Sequence, residues 1–266
     1  MSLRHSRTEE LAAFGRLLDI LDILRVQCPW DRKQTNLTLR PKTIEEVYEL
    51  SDALLQGGAE DIKKELGDVL LHVLFYAKIG DEEDKFDLKD VSDRLVDKLI
   101  YRHPHIFGET KVNTAHEVEE NWEQLKLKEK GGNKTVLAGV PAALPSLIKA
   151  YRIQEKVANV GFDWENPEDV WAKVYEELAE LRAEFEKKGG DAEIEFGDFL
   201  FSLVNAGRKY GLDADTALGR TNEKFRSRFE YIERKARTMG KPLTEMTLAE
   251  MDALYDEAKK TEATQP

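Results

Sequence analysis

Five carboxylates occur in the same order at two places in the chain: Glu45, Glu46, Glu49, Glu65 and Asp68, then Glu176, Glu177, Glu180, Glu195 and Asp198. The first copy reads EEVYE followed by ELGDVLLHVL, the second EELAE followed by EFGDFLFSLV, with 15 and 14 residues between the two blocks. An internal repeat fixes how a chain is partitioned, and carboxylates at fixed spacing suit hard divalent cations that prefer oxygen ligands. One block alone is a weak signal, because glutamates are good helix formers and usually coat surfaces. The second block is more telling. Glu65 and Asp68 sit at i and i+3 beside Leu66, Val69, Leu70 and Val73, so they are expected to be half-buried, and Gly67 between them is expected to permit close helix approach. Unpaired charges there are costly, whereas a bound cation neutralises them.

The repeat extends to cations. Lys42 and Lys173 each stand three residues before the first Glu, and each second block is followed at a distance by a basic pair, Lys98 with Arg102 and Lys224 with Arg228. Residues four apart share a helix face, so each half offers metal ligands and then cations suited to phosphate. Magnesium binds through a few carboxylates, retained waters and substrate phosphates, which makes phosphoanhydride hydrolysis the chemistry that fits. Glu176, adjacent to the ligands, suits either a general base or an outer-shell group. A di-iron bundle requires His three residues after a Glu, and neither half has that; His72 follows Asp68 by four residues, but Ser202 stands at its equivalent, so it is read as a satisfied helix histidine. A Gly-rich phosphate loop, a GxGxxG turn and a Ser, His, Asp set are absent from the sequence.

The elements that must position these groups are helices. Apolar residues recur at spacings of three and four, as in Leu11, Phe14, Leu18 and Leu21 or Ile62, Leu66, Val69 and Val73. In the first acid block Ile44, Val47, Leu50 and Leu54 fall on one side and the glutamates on the other. Pro41 is expected to open a helix and Gly57 and Gly58 to end it, Asn166 and Pro167 to start another, and Thr247 with Glu250 to form a capping box. His103, Pro104 and His105 read as a helix end. The segment from 131 to 145, rich in Gly and Pro, places a boundary between an N-terminal domain over 1–130 and a C-terminal domain over 131–266. The tail from Thr261 is expected to be disordered.

With 266 residues, 41% of them apolar, the chain can bury two modest cores. A net charge of −12 argues against a general nucleic-acid binder, which needs concentrated Lys and Arg, so no direct nucleic-acid contact is expected. The single Cys28 excludes an intrachain disulfide and a cysteine-based zinc site. Without an apolar run long enough to span a bilayer, the expectation is a soluble cytoplasmic protein.

Taken together these stretches resemble the MazG family of nucleoside triphosphate pyrophosphohydrolases over nearly the whole chain. The resemblance rests on CPWDRKQT at 28–35, EEVYE with ELGD, YRHPHIFGE at 101–109, GVPAALPSLIKAYRIQEKVANVGFDW at 139–164, and EELAE with EFGD. It implies an all-α fold in which helices pack into four-helix-bundle-type cores across a homodimer. It also implies magnesium-dependent cleavage of nucleoside triphosphates, with Mn2+ as a substitute, to monophosphate and pyrophosphate. The family's ligands carry over to Glu177, Glu180, Glu195 and Asp198 as the main hydrolytic site, with Lys173, Lys224 and Arg228 as nucleotide contacts and Tyr255 as the ring for the base. Glu46, Glu49, Glu65 and Asp68 keep the pattern as a second candidate set. The competing reading is a nucleotide-sensing helical module that binds Mg-NTP without turnover. In CPWD, Trp30 is expected in the core with Asp31 as a cap; GFDW is expected to shape the approach to the second acid helix, with Asp163 or Trp164 as alternative cleft residues.

Overall fold

A computed structural model of the chain describes residues 4–110, 114, 117, 118, 121, 125, 134–187 and 191–263. It is helical throughout, and among the described residues no strand forms, so the all-α expectation holds. The chain divides into two compact units, Met1–Lys111 and Val112–Pro266. Residues 131–133, at the expected domain boundary, lie outside the described residues. No helix among the described residues is long and apolar enough to cross a membrane.

The first unit comprises α1 (Arg7–Gln27), α2 (Asn36–Gln56), α3 (Ala59–Glu82), α4 (Leu88–Arg102) and the single turn α5 (Pro104–Phe107). Pro41 does not open α2. The helix begins five residues earlier because Thr35 and Thr38 form a reciprocal capping pair, and it continues through Pro41. Gly57 ends α2 as expected, at φ +79°, a left-handed conformation that favours glycine. Leu21, Leu39, Leu74, Phe75 and Ile79 form the core, with Phe14, Leu17 and Leu18 packed against them. Leu11, Leu66 and Val73, from the predicted apolar stripes, point outward. Trp30 is also exposed, contrary to expectation: the 3-10 turn Asp31–Lys33 turns Asp31 inward instead. Arg25 fixes that turn, donating to the Asp31 carbonyl and to both Glu82 oxygens while its guanidinium lies over the Phe75 ring.

The second unit comprises α6 (Ser146–Ala158), α7 (Asp169–Glu186), α8 (Ala192–Lys209), α9 (Ala214–Met239) and α10 (Leu248–Ala263). Asn166 and Pro167 form a turn and not the first helical turn: α7 starts at Asp169, whose amide donates to the Asn166 carbonyl. In GFDW, Gly161 adopts φ +89°, and Asp163 is clamped by Arg208 (2.6 Å) and Lys209 (3.1 Å) at the end of α8. The hydrogen bonds to Arg208 and Lys209 hold the Asp163 carboxyl below the usual range although burial opposes them. Asp163 is therefore a fastener that sets where α7 begins. Thr261 and Glu262, expected to be disordered, extend α10, and the residues beyond 263 lie outside the described set.

Two predictions follow from the packing. Leu74→Ala removes a side chain 2% exposed and is expected to cost about 2–5 kcal/mol in denaturant unfolding. The Thr247–Glu250 capping box forms as predicted, and Lys241 joins it at 2.6 Å from Glu250. Lys241 first, then the Thr247 amide, holds the Glu250 carboxyl down at about 2. A depressed carboxylate pKa stabilises the fold above the unfolded value near 4.5 and loses that stabilisation as pH falls toward 2. NMR titration of Glu250 is expected to show the low midpoint, and Lys241→Met to move it upward.

Candidate metal centre

In the first unit α2 and α3, joined by the Gly57–Gly58 turn, pack along each other. The pairing brings three acids together. Glu46 and Glu49 from α2 meet Glu65 from α3 with one carboxylate oxygen of each within 4.8 Å of the others. On α3, Glu65, His72 and Ile79 recur every seven residues on the buried side, whereas Ile44, Val47 and Leu54 of α2 are 44%, 49% and 59% exposed. Glu65 thus lies inside the helix contact, Glu46 is half-buried and Glu49 exposed, while much of the apolar stripe of α2 faces out. Glu65 is 7% exposed; its Oε1 accepts from Lys64 Nζ at 2.7 Å, and its Oε2 is buried with no hydrogen-bond partner. Burial, and next the charge of Asp68, raises the Glu46 carboxyl; burial, and next the charge of Glu65, raises Glu49.

The second unit repeats the arrangement on α7 and α8. Glu177 and Glu180 meet Glu195, again with one oxygen each within 4.8 Å. Here the deeply buried member is Glu177, 6% exposed, from the first helix of the pair. Lys173, one turn earlier, bridges Glu177 (2.6 Å) and Glu176 (3.1 Å), and the bond to Glu177 above all raises the Lys173 pKa. Glu195 is raised by burial first and then by Glu180 and Asp198.

Asp68 and Asp198 lie outside the tight triads but within reach of their charge, on the evidence of the shifts they cause in Glu46 and Glu195. Lys224 and Arg228 are on α9, and among the described residues neither makes an ion pair with these carboxylates. Arg228 instead pairs with Glu262 at 2.7 Å and lies 5.4 Å from the centre of the Tyr255 ring. Tyr255 in turn packs on Phe225, with centroids 5.9 Å apart. The expected nucleotide contacts therefore form two groups, Lys173 at the acids and Lys224, Arg228 and Tyr255 along α9 and α10. Gly67 does not serve close packing: a Cβ there would meet nothing within 4 Å, and the same is true of Gly197. The sequence reading missed Lys64, whose place in the second copy is taken by Ile194. It placed His72 correctly as a satisfied histidine, with Nδ1 2.8 Å from Thr43 Oγ1, which itself lies 2.5 Å from the Tyr76 hydroxyl.

A sequence model of the MazG nucleotide pyrophosphohydrolase domain matches residues 34–107, a span that contains the whole first acid set. The nucleoside triphosphate pyrophosphohydrolase of Escherichia coli (strain K12) is 40% identical over 255 residues, covering 93% of this chain and 97% of that protein. The chain belongs to the MazG family. A second MazG relative, the nucleoside triphosphate pyrophosphohydrolase/pyrophosphatase of Thermotoga maritima, is 41% identical over 249 residues, 92% of this chain and 95% of that one. A mycobacterial relative from Mycobacterium tuberculosis matches over 151 residues at 34% identity, 55% of this chain and 46% of its own. For this MazG chain the structure supplies its own test of whether a divalent cation fits. At the first site Glu65, grouped with Glu46 and Glu49, keeps one buried carboxylate oxygen with no partner; such an oxygen is costly as it stands and is the kind of ligand a hard cation takes, so this donor set fits.

The crowding has a measurable cost. A carboxyl whose folded pKa lies above its unfolded value stabilises the fold at low pH and loses that contribution as pH rises through the raised value. Glu195→Gln is therefore expected to raise the melting temperature in EDTA at pH 8, and the gain to shrink toward pH 5. Thermal unfolding across that range checks it.

Proposed function

We propose that this chain hydrolyses nucleoside triphosphates to monophosphate and pyrophosphate, with magnesium held by Glu177, Glu180, Glu195 and Asp198 as the main site. The observation that carries the reading is the meeting of three glutamates from two helices, one of them almost fully buried, in a chain more than nine-tenths of which aligns with nucleoside triphosphate pyrophosphohydrolases. When bound, magnesium supplies charge neutralisation on the phosphates and a more acidic water. The chain's own residues do the remainder. Glu177, buried and rigid, sets the position of the ligand cluster. Glu176, with its side chain 56% exposed and paired with Lys173, serves in this reading either as the base for an attacking water or as an outer-shell group beside the ligands. Lys173 holds Glu176 and Glu177 until substrate arrives and is then free to pair with a phosphate oxygen. Arg228 and Lys224 bind the phosphate chain, and Tyr255 provides a face for the base.

The set Glu46, Glu49, Glu65 and Asp68 is a second divalent site of the same construction, so the two units are read as tandem MazG-like domains. The outward apolar residues of α2, with Ile194, Phe196 and Phe201 of α8, support a homodimer in which a second copy covers these faces. A cytoplasmic role in clearing surplus or unwanted nucleotides accords with these features. Product analysis with each NTP and magnesium tests the proposal. Monophosphate plus pyrophosphate is expected, with turnover lowered at least a hundredfold in Glu177→Ala and largely retained in Glu46→Ala. Metal-dependent nucleotide binding without product from the parent chain would overturn it in favour of a sensor.

A further inference from the structure

The two acid sites are neutralised differently. In the second unit the lysine comes from the first helix of the pair, Lys173 on Glu177 and Glu176. In the first unit it comes from the second helix: Lys64 Nζ lies 2.7 Å from Glu65 Oε1. The repeat predicts the opposite for the first unit, because Lys42 stands before Glu46 as Lys173 stands before Glu177; among the described residues, however, Lys42 makes no ion pair with Glu45 or Glu46. The residue matching Lys64 in the second copy is Ile194, 59% exposed, which carries no charge to its site.

Glu65 shows what Lys64 does and does not accomplish. One oxygen is satisfied by the ammonium; the other is buried and has no partner. One cation on one oxygen leaves the carboxylate half-compensated, with Glu46 and Glu49 close by adding like charge. The Lys64 side chain is 66% exposed, so it can leave Glu65 for solvent with little desolvation cost, whereas Glu65, 9% exposed at its side chain, cannot follow.

We propose that Lys64 is a resident counter-ion of the first acid site, holding Glu65 in the absence of a divalent cation and competing with that cation for it, from the opposite helix of the pair to the one that carries Lys173 at the second site. The inference rests on the reading of Glu46, Glu49 and Glu65 as a divalent-cation site. Its consequence is that the first site loads at a higher cation concentration than its carboxylates alone would require.

The test is Mn2+ titration of the full chain by electron paramagnetic resonance, which counts free ion and needs no turnover. Glu177→Gln with Glu180→Gln removes the second site and serves as the parent. In that background Lys64→Ile, the residue of the second copy, is expected to tighten Mn2+ roughly tenfold, while Lys64→Arg, which keeps the charge, stays near the parent. Lys63→Ile is the control, since Lys63 is exposed and paired with Glu60 instead. Equal tightening by Lys63→Ile would show a general charge effect and overturn the proposal, as would unchanged affinity in Lys64→Ile. Failure of the underlying site looks different: no Mn2+ bound by the parent or by any Lys64 variant, in protein whose helical content is unchanged, means that the first acids are not a cation site and the inference falls with them.

Discussion

The burial of like charges between paired helices is the constraint on which the rest of the structure depends. Glu65 and Glu177 are as buried as many core side chains, yet each meets two further glutamates. Taking an ion out of water costs several kcal/mol even after relaxation, and apolar packing elsewhere on the same helices must offset it. In the first unit that packing is the layer of Leu21, Leu39, Leu74, Phe75 and Ile79. In the second it is Val170, Val174 and Ala206, with Phe199 against them. Each acid pair of helices is thus held by a core on the same helices that carry the charge, which keeps the ligands on rigid elements instead of loops.

Helical geometry explains how a single element serves both purposes. On α3 the residues 65, 72 and 79 are two turns apart and face inward together. The first is an acid, the second a histidine hydrogen-bonded to Thr43, the third an isoleucine in the core. Polarity therefore falls along one buried face from the site toward the core. On α7 the buried residues are Val170, Val174, Glu177 and Leu181, so the charge sits between apolar turns. The lysines complete each arrangement from different directions, Lys64 beside its acid and Lys173 a turn before.

The connections matter because helix pairs fix spacing but not where each helix begins. Arg25 joins α1, the turn at Asp31 and α3 through hydrogen bonds and its position over Phe75. Asp163 performs the corresponding task in the second unit, holding the GFDW turn against Arg208 and Lys209. Tyr210 adds a second link, accepting from Trp171 and donating to Glu168 at the start of α7. These polar fasteners lie at the ends of the helices, away from the acid triads, and set their start points.

The sequence by itself determined the helical class and the doubled carboxylates, because spacings of three and four translate directly into helix faces and a repeat is visible in the residues themselves. The Thr247–Glu250 cap and the Gly57 stop were legible for the same reason: their chemistry is local. Only tertiary structure decided which side of each helix is inside. In α2 the pattern separates Ile44, Val47, Leu50 and Leu54 from the glutamates, but a helix wheel records amphipathicity without saying which face meets its neighbour, and here Ile44, Val47 and Leu54 are exposed while Glu46 is half-buried beside Glu65. Tertiary structure likewise decided that Trp30 lies outside, that Gly67 has open space beside it, and that Lys64, unremarkable in sequence, reaches Glu65. Each of these depends on what arrives from a distant part of the chain, and spacing along one helix carries no information about that.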